Sequence, residues 1–240
     1  MTTKTLIANK PKGVAVNAMF TPVAKRYDLM NHILSFGADF YWRRCLVAAV
    51  KAQQPKRVVD LATGSGDVAF ALKRELGDDV AITGLDFCQA MLDESKRKRS
   101  KNKAFKDISF SWGDCLDLPL EDNSIDVLTI SFGLRNLEDR HKGLMEMKRV
   151  LKPGGKLFVL EFSQPYRWFN PLYKLYLKTF LPMIAHLFTG NKQAYEYLSG
   201  SIEHFPSRER IEGELDQAGF KTVPALPLTF GVVAMHAGVA

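Results

Sequence analysis

Arg57-Val58-Val59-Asp60-Leu61-Ala62-Thr63-Gly64-Ser65-Gly66-Asp67 is the stretch whose reading decides the fold. Arg57 to Val59 ends in a β-branched pair, as expected of a buried strand, and Asp60 closes it. Thr63 to Gly66 is a tight turn, and Asp67-Val68-Ala69-Phe70-Ala71-Leu72 opens a helical pattern. Strand, glycine turn and helix together predict the first unit of a nucleotide-binding α/β sheet. Gly64 and Gly66 would let the backbone approach a ligand, and the helix start would offer it unpaired N–H groups.

The chain on either side continues that pattern. Downstream, the helix is expected to stop at Gly77, and Val80 to Asp86 reads as a second strand with an acidic end. A helix from Gln89 to Arg99, a strand from Ile108 to Trp112, and a loop at Gly113-Asp114-Cys115 come next. Ser124 to Phe132 is a fourth strand, Arg140 to Leu151 a helix, Lys152-Pro153-Gly154-Gly155 a turn, and Lys156 to Phe162 a fifth strand. A last helix opens at Pro206-Ser207 and ends at Gly219, and strands near Phe220–Val223 and Phe230–Ala237 suggest an antiparallel hairpin at one sheet edge. Alternating β and α units imply a parallel sheet with right-handed crossovers.

Upstream, apolar residues from Val16 to Val50 recur at helical spacing and are interrupted at Ser35-Phe36-Gly37. We divide the chain into a flexible tail (1–16) and one domain (17–240). The domain comprises a helical lid (17–50), a cofactor-binding core (51–162), an aromatic insertion (163–205) and a last helix with its hairpin (206–240). For the lid, simple packing on one face of the sheet is the competing reading.

Composition narrows the function classes. Of 240 residues, 46% are hydrophobic and 25% charged, which suits a soluble globular domain with a substantial core. The net charge of +7 suggests a nucleic-acid partner, but it is local. Lys96, Arg97, Lys98, Arg99, Lys101, Lys103 and Lys106 are seven of the 33 basic residues, and without them 26 basic residues face 26 acidic ones. No aromatic residues interleave with the run as nucleic-acid binding favours, so it is read as a solvated helix end, with anionic lipid as the competing reading. Cys45, Cys88 and Cys115 form no CxxC pair and have no His at zinc-ligand spacing. Reduced thiols in a cytoplasmic protein without a structural metal are therefore expected. The first twenty residues lack the apolar core of a signal peptide, and Phe180 to Phe188 is too short to span a bilayer.

The nature of the nucleotide is the central question. Gly64-Ser65-Gly66-Asp67-Val68-Ala69, with Asp86 20 residues beyond Gly66, formally matches the dinucleotide fingerprint, and an NAD oxidoreductase is the rival reading. Asp60 argues for S-adenosyl-L-methionine instead: an anion beside the turn would repel a pyrophosphate but help to hold a cationic methionyl group. Asp86 suits any ribose diol. Gly113-Asp114-Cys115 adds an acidic turn suited to an adenine amino group, and no basic residue lies beside the glycines in sequence.

Six segments carry a resemblance. DLATGSGD (60–67), GLDFCQAML (84–92), GDCLDLPLEDNSIDVLTISFGLRN (113–136), RVLKPGGKLFVLEFSQP (149–165), PVAKRYDLMNHILSFGADFYWRR (22–44) and YLSGSIEHFPSRERI (197–211) closely resemble the ubiquinone/menaquinone biosynthesis C-methyltransferases. The glycine turn and LKPGG are widespread among class I methyltransferases, whereas ISFGLRN and YDLMN…LSFG are much more specific. Thr63 and Ser65 depart from the commoner DLAGGTGD form but keep a hydroxyl and both glycines.

The resemblance implies a Rossmann-like class I methyltransferase fold: a mostly parallel seven-stranded sheet, an antiparallel edge hairpin and helices on both faces. It implies that Ser65, Asp86, Asp114, Cys115 and Ser131 contact S-adenosyl-L-methionine, alongside Asp60, Gly64 and Gly66. For Ser131, a hydroxyl that bonds its own turn is the alternative. The reaction implied is methylation of a ring carbon of a polyprenyl quinol, with demethylmenaquinol favoured. Arg135 is the expected catalytic residue, an always-charged guanidinium that stabilises a phenolate; pairing with Glu138 is its structural alternative. Glu161 and His204 are further candidates for the base. Tyr27, Asp28 and Asn31 belong to the lid region, where ordinary helix packing is the first expectation.

The aromatic segment from Tyr166 to Tyr197, with Arg167, Lys174 and Lys178, suits an isoprenoid wall and peripheral contact with a membrane. A buried insertion or a homodimer contact stands beside that reading. Methylation of another lipophilic small molecule, and a cofactor-holding or RNA-binding relative without this catalysis, complete the alternatives.

Overall fold

The computed structural model describes Thr21, Ala24 and residues 27–180, 200–202 and 205–240. The expected tail, His204 and most of the second half of the aromatic segment lie outside these residues. Among the described residues the first two α-helices are α1 (Tyr27–Leu34) and α2 (Ala38–Lys51), joined through Gly37 at φ 77°. The interruption at Ser35-Phe36-Gly37 falls where the sequence places it.

The core then alternates. In order come β1 (Arg57–Leu61), α3 (Asp67–Leu76), β2 (Ala81–Asp86), α4 (Gln89–Ser100), β3 (Ser109–Trp112), β4 (Ile125–Ser131), α5 (Arg140–Val150) and β5 (Leu151–Phe162). A short helix, α6 (Asn170–Leu175), continues into a π-type turn at Tyr176–Phe180; α7 (Arg208–Gln217), β6 (Lys221–Leu228) and β7 (Val233–Val239) complete the described chain. The sheet order is β3-β2-β1-β4-β5-β7-β6. β1 to β5 pair in parallel, whereas β7 runs antiparallel to both β5 and β6. This is the class I S-adenosylmethionine-dependent methyltransferase arrangement, with the expected hairpin placing β6 at an edge.

Strand periodicity explains why both faces are covered. Successive strand side chains point to opposite faces, so Val58, Val127, Phe158 and Leu160 pack with α2, α3 and α4 through Leu46, Phe70 and Leu92. Val59, Leu61, Leu128, Ile130 and Val159 pack on the other side with Leu144 and Met147 of α5 and Ile211 and Leu215 of α7. Each fully buried Leu or Ile of this kind contributes about 1.5–3 kcal/mol.

One expectation is corrected. Lys152-Pro153-Gly154-Gly155 is not a linker before β5 but an excursion within it. Pairing with β4 runs from Ile125–Leu151 to Val127–Lys156, and the intervening residues bulge out. Gly154 sits at φ 81° and donates to the carbonyl of Ala240, so the turn residues also bind the end of the chain.

Candidate active site

The strand order reverses between β1 and β4, the switch point where open α/β sheets bind ligands. A cavity of about 600 Å³ opens there. Its polar floor includes Asp60, Gly64, Ser65, Asp86, Asp114, Cys115 and Ser131; Trp42, Phe132, Phe162 and Tyr173 contribute to its apolar wall. The structure thus brings most of the expected cofactor residues to one place.

Asp60 is the most deeply buried of the charged residues that line the cavity. Its carboxylate is 1% exposed and accepts two hydroxyls, Thr129 Oγ1 on Oδ1 at 2.6 Å and Thr63 Oγ1 on Oδ2 at 2.6 Å. Burial pushes its pKa up to about 6, against the pull of both threonines. A carboxylate kept this far from water calls for a cation, and the Arg43 guanidinium acts on it only as a weak electrostatic influence. Thr129 is a residue that the sequence reading missed. Its signal was a lone hydroxyl in the apolar run of β4, facing Asp60 across the β1–β4 register.

The glycines divide their roles. Gly64, at φ 57°, has open space where a Cβ would stand, so ligand can approach its backbone. Gly66, at φ 90°, does something else: a Cβ there would stand 2.9 Å from both Phe70 and Phe110. Its missing side chain makes room for core aromatics, a packing role that stands beside the cofactor contact expected of it. Asp86 accepts from the Gly64 N–H at 2.8 Å and the Cys88 N–H at 2.8 Å, which orients its carboxylate, and burial raises its pKa.

Ser65 is held differently from expectation. Its hydroxyl donates to Asp28 of α1, so the side chain joins the turn to that helix. Asp28 is therefore more than helix packing. Asp114 accepts from the Leu116 N–H at 2.9 Å, which shapes its turn. The buried Cys115 thiol is pushed up to about 12 by burial and by Asp86 and Asp114, so it stays protonated. Ser131 Oγ lies at the end of β4, buried at the cavity edge with no hydrogen-bond partner among the described residues, so it does not bond its own turn.

Arg135 lines the cavity, and its buried partner is Glu161 rather than the expected alternative, Glu138. Nη1 donates to Glu161 Oε1 at 2.7 Å and to the Phe132 carbonyl at 2.6 Å, while its backbone N–H reaches Glu161 Oε2 at 3.2 Å. The guanidinium carbon stands 5.1 Å from the Phe162 ring centroid. Glu161 is fully buried and also accepts from the Phe162 N–H at 2.9 Å. These contacts make it the holder of Arg135 and a poor candidate for a mobile base. Among the described residues, no three His, Cys, Asp or Glu side chains are grouped to hold a metal ion.

The donor set fits S-adenosyl-L-methionine: a buried anion for a cationic group, an oriented carboxylate for a diol, and an open glycine between them. Comparisons with known proteins agree. Residues 7–240 match the ubiE/COQ5 methyltransferase family. A demethylmenaquinone methyltransferase of Thermus thermophilus is 44% identical over 92% of this chain and 99% of its own. The ubiquinone/menaquinone biosynthesis C-methyltransferase UbiE of Geotalea daltonii is 40% identical over 95% of this chain and 97% of its own. Among solved structures, a SAM-dependent methyltransferase from Thermotoga maritima aligns with TM-score 0.62 at 20% identity, over 92% of this chain and 98% of that one. The [4+2]-cyclase SpnF aligns with TM-score 0.63 at 16% identity, covering 95% of each chain. These structures share the fold alone, and SpnF illustrates that the fold does not dictate the reaction. Sequence match across nearly the whole length decides the matter: the chain belongs to the ubiE/COQ5 methyltransferase family.

Proposed function

We propose that the protein transfers the methyl group of S-adenosyl-L-methionine to a ring carbon of a polyprenyl quinol, with demethylmenaquinol as the favoured acceptor. The observation that carries this reading is the presence in one cavity of the buried Asp60 carboxylate on the floor and of Arg135 among the aromatic wall residues Phe132, Phe162 and Tyr173. When bound, S-adenosyl-L-methionine supplies an electrophilic methyl on a positively charged sulfur. Asp60 would hold the cationic methionyl portion, Asp86 the ribose hydroxyls, and Asp114 with the Cys115 backbone the adenine edge; Ser65 and Ser131 complete the polar rim. The protein's remaining tasks are to align carbon with methyl, exclude water and enrich the ring in electrons. Arg135, fixed by Glu161, would stabilise a ring phenolate by charge and hydrogen bonding.

The mouth of the cavity supports a greasy substrate. Phe36, Leu172, Leu175 and Phe180 line the cavity and are also exposed, Phe36 at 76%. Trp168, 68% exposed, stacks edge-on with Phe169 and Phe230 beside them. An isoprenoid tail would leave along this apolar lip, and the same lip would rest on the headgroup region of a membrane, with the protein otherwise in the cytoplasm. Among the described residues, no helix is long and apolar enough to cross a membrane.

The names of the relatives also support a quinone acceptor. Turnover with methyl-labelled donor and matched demethylmenaquinol and demethyl-benzoquinol acceptors tests it. Higher kcat/KM for the naphthoquinol is expected. No transfer to either quinol, with transfer to another lipophilic acceptor, would overturn it.

A further inference from the structure

The basic run of α4 is not simply the solvated helix end that the sequence suggests. Arg97 pairs within the helix, its Nε 2.7 Å from Glu94 Oε2, and Arg99 donates to the Ile108 carbonyl at 2.8 Å. Lys98 does something different. Its ammonium donates to Asp28 Oδ2 of α1 at 2.6 Å and to Asp67 Oδ1, at the first residue of α3. The Lys98 side chain is 22% exposed and Nζ stands 5.5 Å from the centroid of the Phe70 ring, so both pairs are partly shielded from water.

One ammonium thereby ties three helices together immediately beside the glycine turn. Asp28 also accepts the Ser65 hydroxyl through its other oxygen, which extends the tie into the turn itself. Asp67 is shared in the same way. Its second oxygen lies 3.3 Å from Arg43 Nη2 of α2, and Arg43 also reaches Asp39 at 3.1 Å. Both N-terminal helices are therefore anchored by cations that converge on the first residue after the turn.

α1 is held at its C-terminal end by His32, whose Nδ1 lies 2.6 Å from Asp39 Oδ2 of α2, and by the Tyr176 hydroxyl on the Leu34 carbonyl, whereas the Lys98–Asp28 ion pair holds its N-terminal end. The helix has eight residues, too few to be stable alone, and Met30 is its one fully buried side chain among those described. Yet Asp28, Met30, Asn31 and Leu34 form one wall of the cavity. The ion pair with Lys98 fixes the Asp28 end of that wall.

We propose that Lys98 and Asp28 are positioning residues that latch α1 over the cofactor turn, so that opening of this latch governs exchange of methyl donor and demethylated product. The proposal rests on the reading that the glycine turn holds S-adenosyl-L-methionine. Through Ser65, the latch also responds to whatever occupies the turn.

Stopped-flow binding of S-adenosylhomocysteine to the full-length protein tests it. Lys98→Met keeps the apolar stem over Phe70 and removes the charge; the dissociation rate constant should rise about tenfold, as expected when two partly shielded ion pairs are removed together. Asp28→Asn, which weakens both the Lys98 pair and the Ser65 hydrogen bond, should do the same and serves if Lys98→Met folds poorly. Lys98→Arg should restore slow release. Added salt should speed release from the wild type and leave Lys98→Met unaffected. Arg97→Met, on the same helix but hydrogen-bonded to Glu94 and acting on Asp28 only through weaker electrostatics, should speed release far less than Lys98→Met. Release from Lys98→Met and Asp28→Asn at the wild-type rate would overturn the latch while leaving the cofactor site intact. A wild-type protein that does not bind S-adenosylhomocysteine would instead overturn the cofactor assignment beneath it.

Discussion

Replacing Asp60 with Asn should make the protein more stable and less able to bind its methyl donor. In the folded chain burial lifts the Asp60 pKa from its ordinary 3.8 to about 6. At about 1.36 kcal/mol per tenfold change in ionisation, keeping the carboxylate charged at neutral pH costs about 3 kcal/mol. The sign follows from proton binding. Below the unfolded value of 3.8 the group is protonated in both states and costs nothing; the cost grows as pH rises and is fully present above about 6. Asp60→Asn removes the charge while leaving a group that can hydrogen-bond Thr63 and Thr129. Thermal unfolding at pH 7.5 should therefore shift upward by up to about 6–12 °C for a chain of this size. The gain should shrink toward zero as pH is lowered to about 4, the window set by these two values. Calorimetry should show S-adenosyl-L-methionine affinity falling about 100-fold, the order expected when a buried site gives up one charge-assisted hydrogen bond. Wild-type affinity should itself weaken about tenfold per pH unit below about 6, because the cation needs the ionised form. A variant that is less stable than the wild type at pH 7.5, or that binds the donor equally well, would refute the reasoning.

Other perturbations separate the remaining roles. Arg135→Ala should lower kcat about 10²–10³-fold with little change in donor KM, and Arg135→Lys should not restore it, since one ammonium cannot reproduce the planar hydrogen bonds to Glu161 and the Phe132 carbonyl; steady-state kinetics would show this. Gly66→Ala should destabilise the fold by about 2–4 kcal/mol in urea titration, from a left-handed φ and a clash with Phe70 and Phe110, whereas Gly64→Ala should cost about 1 kcal/mol and chiefly weaken cofactor binding. With its pKa pushed up to about 12, the Cys115 thiol should resist alkylation at pH 8 until the protein unfolds, as mass spectrometry would report.

The sequence makes the scaffold legible because its cues are local. Val58 and Val59 before a glycine turn, Asp86 at a strand end and Gly77 after a helix each act within a few residues, and all fall where expected. Ser131 is legible as the last residue of a strand at the ligand-binding edge. What escapes a linear reading is pairing across the fold. Thr129 supports Asp60 only because β1 pairs with β4 in that register, and Arg135 chooses Glu161 over Glu138 because β5 lies beside β4. Lys98 reads as one charge in a run, and only the approach of α1 and α3 gives it two carboxylates. The LKPGG segment has correct turn chemistry, but strand pairing on both sides turns it into a bulge.

The central claim is transfer of a methyl group to carbon, and the fate of a labelled methyl tests it most directly. The protein would be incubated with ¹³C-methyl S-adenosyl-L-methionine and demethylmenaquinol, and the product characterised by NMR. We predict one labelled methyl bonded to a carbon of the quinol ring. A label on a ring oxygen, or a quinol recovered unlabelled while another acceptor is methylated, would contradict the account.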